Sequence, residues 1–529
     1  MIPVVAPRSS LDDHDATPAA PGQVVDQHPL GRVASRLAAS LDAPFAALLV
    51  TITVWVAWLG LHVWRRHDRF STFDNDLGFH TQFVWLISRG KWFSTILGLP
   101  AFGHNATFGY FLLAPFTWLG AGPQFLDLTQ TLAIGLGAIP VYLIARDRLG
   151  RPWPAVALGI AWLLHPVVVG NVWETFHPEA MAMTPLLGAY CAAVRGRWTW
   201  YGVFLGLALI WKSDVSLFVL MLGVLVAWRW NRRAGLATIG VAAIWFVAVV
   251  MVMIPRFSGG GTVFGPLYGD LGDSPTAVMS TAVHHPTAIL RRLGSTDPER
   301  YARDLLAPYA FVPVLGLPAL ALGAPQYLVS LLSDQPFTHD PFDNPHYQAL
   351  SAVALTLGLI EGLVFLRRRR VALLNGAVGT VVALSLACST AWAPVPWGVR
   401  WDHYWQHDGS TSRADKLEAL QVIGPDASVS AQYLLVSHLA QRERVYSFPN
   451  PWRNVFYGVQ GTKEPNPSVV RYLVVDHTNM NDSDKRDFEC IVASGAFRTI
   501  FNRQSGIHLL ERSTWPERSR PADLKCQHP

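Results

Sequence analysis

The stretch "LALIWKSDVSLFVL", residues 207–220, decides how this chain is to be read. Lys212 and Asp214 interrupt an otherwise apolar run that extends from about residue 199 to 228. Each charge at mid-membrane would cost roughly 2.5 to 3.5 kcal/mol on insertion scales, so neither is expected to face lipid. One reading is a tight turn between two short spans with the two charges paired. The other is a lysine that binds an anionic phosphate.

Working outward, apolar runs of membrane-spanning character recur along the chain. A span needs about 20 mostly apolar residues. Candidates fall at 43–64, 123–145, 153–170, 179–194, 199–211, 215–228, 234–254, 304–318, 319–333, 348–366 and 371–389, about eleven in all. The pairs flanking Lys212 and Gly316 are short enough to be broken or re-entrant helices. Composition agrees: 51% of the 529 residues are hydrophobic and only 15% are charged, with a mean hydropathy of +0.25. The net charge of +5 comes largely from arginines beside apolar runs, which reports orientation in a membrane and not nucleic-acid binding.

With the N-terminus inside, the short inner loops carry Arg146, Arg148, Arg151, Arg195, Arg197, Arg229, Arg232, Arg233 and the arginine run 367–370. The positive-inside rule then holds, except that Arg65, Arg66 and Arg69 fall outside. The apolar run 106–120 is read as an interfacial helix, since an extra span there would invert everything downstream. Of the 18 histidines, only His14 and His28 fall inside under this topology, which concentrates polar chemistry on the extracytoplasmic face.

Residues 1–40, rich in Pro, Ala and Asp, read as a disordered cytoplasmic tail. Residues 41–391 form an all-α polytopic membrane domain. From 392 to 529 short β-type runs alternate with amphipathic helical ones, the mark of a small extracytoplasmic α/β domain. Cys490 and Cys526 both belong to that exported part, where a disulfide is permitted. The absence of a CxxC pair removes zinc-ribbon and thioredoxin-type readings.

Three polar constellations stand out. The first outer loop holds Asp74, Asp76, His80, His104 and Asn105. A carboxylate there is a candidate general base or metal ligand, against the plain alternative of a solvated loop. "NVWETFHPEAMAMTP", residues 171–185, places Glu174 and His177 three apart; Pro178 and Glu179 are also a good helix start in their own right. "SLLSDQPFTHDPFDNPHYQAL", residues 330–350, gathers Asp334, His339, Asp340, Asp343, His346 and Tyr347 into one outer loop.

The order of these motifs resembles a known family. "DLGFHTQFVW" after the first span, "GHNAT", "LLAPF", "FHPEAMAMTPLL", "KSDVSL", the 330–350 loop and "DASVSAQYLLVSHLAQRERVYSFP" together are similar to bacterial and archaeal membrane proteins catalogued as domain of unknown function twenty-seventy-nine. That family resembles in layout the GT-C glycosyltransferases, which take a sugar from a polyprenyl-phosphate donor on the extracytoplasmic face. Position by position, the resemblance puts the family's first-loop aspartate on Asp76, its loop histidine on His104, its His-Pro-Glu on His177, Pro178 and Glu179, and its Lys-x-Asp on Lys212 and Asp214. Thr81 and Ser213 stand where the family tends to carry further acids.

The resemblance implies a GT-C-like fold and a membrane glycosyltransferase that moves sugar to an envelope glycan, lipid or protein. Asp76 is then the base, and Asp74, an extra acid relative to the family pattern, is a second catalytic candidate beside it. His104, His177, Glu179, Lys212, Asp214, His346 and Tyr347 line the substrate site, and Lys212 or a divalent ion, Mg or Mn, neutralises the leaving phosphate. A sugar hydroxyl is too weakly acidic to attack unaided at neutral pH, and an aspartate at the membrane surface supplies a proton acceptor where the donor's head group meets water. Two other classes compete: a transporter or flippase of lipid-linked saccharide, for which Lys212 and Asp214 would line a path, and a non-catalytic envelope assembly protein. Paired repeats would favour transport, and no convincing internal repeat is visible.

Overall fold

The computed structural model describes residues 42–72, 75–260, 265–401, 405, 410–514 and 526. The expected tail at 1–40 and Asp74 lie outside the described residues.

Among the described residues six helices are long and apolar enough to cross a membrane: Ala43–Asp68, Pro123–Leu149, Arg232–Ser258, Val312–Leu332, Pro345–Arg369 and Val371–Trp392. A seventh arises if Pro152–Leu164 and Pro166–Trp173 count as one span bent by 46°. The bend falls at His165, where Pro166 cannot donate the backbone bond that would continue the helix. The expectation of about eleven counted shorter segments separately. Trp198–Leu209 and Val215–Arg229 are apolar helices of 12 and 15 residues, and the expected pair at 304–318 and 319–333 is one apolar ladder preceded by the amphipathic helix Pro298–Leu306.

Helix Pro345–Arg369 is buried along nearly its whole length and forms the hub of the bundle. Its close neighbours depend on glycine. A Cβ on Gly316 would stand 2.1 Å from the Gly358 carbonyl oxygen, and one on Gly362 would stand 2.3 Å from the Val312 carbonyl oxygen. Gly358 and Gly362, one turn apart, thus let the 312–316 turn lie directly on the hub, the usual use of small residues where helices pack in lipid. Outer helices instead expose Val54, Val241 and Ile244, as lipid-facing surfaces do.

The hub also runs between two polar ends. Near its C-terminal end Glu361 accepts from Arg148 at 2.7 Å, Arg229 at 3.2 Å and the Tyr190 hydroxyl at 3.0 Å, while Arg367 donates to the Arg148 carbonyl. Its first residues carry His346, about 22 Å away at 1.5 Å per residue. Arg66, one of the exceptions to the arginine asymmetry, is buried: its guanidinium donates to the Ser71 and Trp173 carbonyls and stacks on the Trp173 ring. Its charge is held by the fold.

Toward the C-terminus a five-stranded sheet has the order Val445–Ser447, Val429–Ala431, Tyr472–Asp476, Ile507–Arg512, Phe497–Asn502. The first three strands are parallel and the last two pairings antiparallel. Strand alternation sends Val474 and Leu509 into the same core as the helical bundle, and Leu473, Val475 and Leu510 into a second core around Trp452 and Phe488. The sheet is therefore buried on both faces. The buried Lys416–Asp476 pair at 2.8 Å ties helix Ser410–Val422 to it, and Cys490 and Cys526 form a disulfide with Cα atoms 5.9 Å apart.

Candidate functional site

Helix Asn75–Ile87 starts immediately after the first long helix and carries Asp76 in its first turn, where a carboxylate suits the helix dipole. Opposite lies the turn 174–177, which joins the bent helix pair to Pro178–Val194. Gln130, fully buried in helix Pro123–Leu149, clamps that turn. Its amide nitrogen donates to the Asn171 and Thr175 carbonyls at 2.7 and 2.5 Å, and its oxygen accepts the His177 backbone N–H at 2.6 Å. Thr175 is held at φ 91°, a left-handed conformation costly for a β-branched residue, which the clamp offsets.

The clamp aims the His177 ring. Nε2 lies 3.1 Å from Asp76 Oδ2, and the ring stacks on His346 with centroids 4.1 Å apart. His346 in turn bonds Glu174 twice, ring nitrogen to one carboxylate oxygen and backbone N–H to the other at 2.7 Å. Asn171 fixes the approach of this loop by donating to the Pro345 carbonyl at 2.9 Å. His177 is 5% exposed in its side chain and Asp76 38%, so the aspartate is the member of the pair that opens outward.

Lys212 closes the other side. Its ammonium lies 2.7 Å from Glu179 Oε1 and 3.7 Å from Asp214 Oδ2. The sequence suggested Lys212–Asp214 pairing; the tighter partner is Glu179, one residue past the proline that starts its helix. His104 is buried with its ring against Phe79, and His80 bonds the Tyr110 hydroxyl at 2.5 Å. Tyr347 packs against His346 at 4.0 Å between ring centroids. The fold therefore gathers Asp76, His177, Glu179, Lys212, Asp214, His346 and Tyr347 into one cluster, with His104 beside it.

Electrostatics follow from this crowding. Burial opposes the charge on Asp76, yet the His177 hydrogen bond and the neighbouring imidazoles hold its carboxyl well below the usual range. Burial pushes the His104 imidazole down to about 4 and His80 well below its ordinary value. Burial also disfavours the Lys212 ammonium, but Asp214 and Glu179 outweigh it and keep the lysine charged.

Glu174 was noted in the sequence only as a neighbour of His177, and Gln130 and Asn171 were not singled out. Gln130 carried a signal all the same: a polar side chain inside an apolar span usually faces the interior and a partner. Glu174, His177 and His346 each offer a ligand atom within 4.8 Å of the others, an arrangement able to hold a metal ion.

No curated protein matches the sequence. Among solved structures, ArnT from Cupriavidus metallidurans in the apo state is similar, with a TM-score of 0.50 at 14% identity over 91% of this chain and 100% of that one. ArnT bound to undecaprenyl phosphate gives 0.49 at 13% identity over 88% and 99% of the two chains. The arabinofuranosyltransferase AftD from Mycobacteria gives 0.40 at 14%, over 87% of this chain and 40% of that one. At such identities the likeness to apo ArnT is one of fold, a GT-C-like helical bundle with a sheet region toward the C-terminus. The family model described as "Predicted membrane protein (DUF2079)" matches residues 66–508, from the end of the first long helix to the start of the last strand in the chain, and the chain belongs to that family.

Proposed function

We propose that this protein is a membrane glycosyltransferase that moves a sugar from a polyprenyl-phosphate donor to an envelope acceptor at the extracytoplasmic face. The observation that carries the reading is the partly open Asp76 carboxylate paired with buried His177, a few side chains from the buried Lys212 ammonium. In this reading Asp76 takes the acceptor hydroxyl proton as that oxygen bonds the sugar's anomeric carbon. The anomeric carbon–oxygen bond breaks, and polyprenyl phosphate leaves with the electron pair, its charge met by Lys212. His177 orients Asp76 and keeps it ionised.

The extracytoplasmic placement is supported by charge and redox chemistry. Arg148, Arg229 and Arg367 converge at the bundle end away from Asp76, as the positive-inside rule asks of a cytoplasmic end. The Cys490–Cys526 disulfide suits an oxidising compartment. We assign residues 41–391 to the membrane part and 392–529 to the exported part, with the helical turns at 433–439, which follow the strand Val429–Ala431, packed on the helix that carries Asp76.

Charge also bears on the cofactor. Asp76, Glu174, Glu179 and Asp214 bring four carboxyl groups against the Lys212 ammonium. An anionic donor needs that excess offset. Glu174, His177 and His346 fit a cation, and a two-imidazole, one-carboxylate donor set suits a zinc-like first-row ion better than Mg or Mn, which prefer oxygen-rich sites. Such an ion would supply positive charge for phosphate. The deciding experiment measures lipid-linked sugars and envelope glycans by mass spectrometry in a deletion strain complemented with wild type or Asp76→Asn. The reading requires the donor to accumulate and one sugar to vanish from an acceptor in both the deletion and the Asp76→Asn strain; glycan profiles matching wild type in both would reject it.

A further inference from the structure

A groove of about 810 Å³ lies apart from the polar cluster, at the far end of the helix that carries Asp76. Leu86, ten residues beyond Asp76 and so about 15 Å along the helix, lines one side. Phe102 and Phe257 line another, and Lys91 and Arg444 stand at the wall. The groove connects to the site through the chain itself: Phe102 is followed by Gly103 and then His104. A Cβ on Gly103 would lie 3.0 Å from the Phe257 backbone, so glycine here lets the end of span Arg232–Ser258 close onto the loop beside the site.

Two chemistries meet in this groove. One is aromatic. Trp92, Phe93 and Phe257 are 42%, 47% and 46% exposed. Trp92 lies 5.8 Å from Phe111, and beyond it the apolar helix Tyr110–Leu119 exposes Phe116, Trp118 and Leu119. This apolar band is continuous with the end of a candidate membrane span, the level at which aromatic rings sit in a bilayer. The other is cationic. Lys91 is paired with Glu443, whereas Arg444 makes no ion pair among the described residues and leaves the wall with positive excess. A soluble glycan has no use for the apolar band, and an apolar tail has no use for the arginine. An amphiphile with an anionic head group matches both, and the volume lies within the usual 300–1,000 Å³ of small-molecule sites.

We propose that this groove receives the anionic head group of a membrane lipid and that this lipid is the acceptor of the transferred sugar, an assignment that rests on the glycosyltransferase reading above. The two anionic substrates then have separate counter-charges, Lys212 for the donor phosphate and Arg444 with Lys91 for the acceptor head group. From Leu86 at the groove wall back to Asp76 the helix runs about 15 Å, the span that the acceptor head group has to bridge.

Native mass spectrometry of the full chain in detergent tests the site, with phosphatidylglycerol, phosphatidylcholine and undecaprenyl phosphate as separate probes. Phosphatidylglycerol should bind better than phosphatidylcholine, and Lys91→Gln/Arg444→Gln should lower its retention about tenfold while undecaprenyl phosphate is retained. Arg444→Gln alone, at an exposed position that leaves folding intact, should give part of the same loss. Unchanged phosphatidylglycerol retention, or loss of undecaprenyl phosphate instead, overturns the groove assignment. A cellular readout tests the acceptor role: the double variant should deplete the sugar-bearing lipid fraction, and a normal lipid fraction with a depleted protein or glycan fraction overturns it. Failure of the transferase reading looks different, since an Asp76→Asn strain with normal glycans leaves the lipid-binding measurements untouched.

Discussion

Asp76 sits at the point where a buried, hydrogen-bonded network meets an opening, and single-atom changes there are informative. Asp76→Asn keeps the shape and the bond to His177 but removes proton acceptance. Turnover should fall on the order of 10²- to 10⁴-fold with donor binding retained, read as a loss of kcat without a matching rise in KM. Normal turnover in folded Asp76→Asn would move the base elsewhere. Lys212→Met acts at the opposite side of the cluster. It leaves Glu179, buried at 2.7 Å from the lost ammonium, without its nearest cation. Donor affinity should therefore drop tenfold or more, and a thermal-shift measurement should register the cost of an uncompensated buried carboxylate, about 3 to 5 kcal/mol. Unaltered donor affinity would leave Lys212 a structural counter-ion to Glu179 and Asp214.

At the scale of elements, the turn 174–177 is held by one side chain from a neighbouring helix. Gln130→Leu removes three hydrogen bonds, each worth about 0.5 to 1.5 kcal/mol, and releases the strained Thr175. The variant should lower the melting temperature and, if the triad holds the ion proposed above, reduce through the misaimed His177 the metal content measured on the purified protein. Wild-type metal content in this variant would separate the turn from the triad. A second element-scale prediction concerns the contact between the first long helix and the sheet region. His438 stacks on His67 and Phe70, and burial, then the charges of His67 and Lys416, hold its imidazole well below 6.5. Because the folded state binds fewer protons than the unfolded one, stability is present above pH 6.5 and is lost as pH falls below it, by at most about 1.4 kcal/mol per pH unit for one group. Thermal unfolding followed from pH 7.5 to 5 should show this slope together with the contributions of the other depressed imidazoles, His80 and His104, and His438→Phe should reduce it by one group's share. An identical slope in the variant would place the proton uptake on another buried histidine.

For the whole molecule, orientation decides whether the site can meet a lipid-linked sugar outside the cell. With the exposed residues replaced singly by cysteine, Lys463→Cys in the sheet region should react with an impermeant thiol reagent applied to intact cells, and Arg232→Cys should react only after permeabilisation. The native Cys191 and Cys388 are buried and give little background. Reversed labelling would put the cluster in the cytoplasm and end the extracytoplasmic transferase reading.

The sequence by itself determined that this is a polytopic membrane protein with a polar face and a β-containing C-terminal part, because membrane insertion is written in local hydropathy and arginine spacing. It also marked Asp76, His177, Lys212 and His346, since charges beside or within apolar runs are costly unless used. It could not resolve the 304–333 region, where the close approach of Gly316 to Gly358 depends on a partner helix some forty residues away. Nor could it pair Lys212 with Glu179, identify Gln130 as the clamp, or place Glu174 against His346. Those relations join residues separated by 33, 47 and 172 positions. Hydropathy reports what each segment does with its surroundings, whereas hydrogen bonds and ion pairs across such separations exist only after the helices have packed, so the tertiary structure alone decided them.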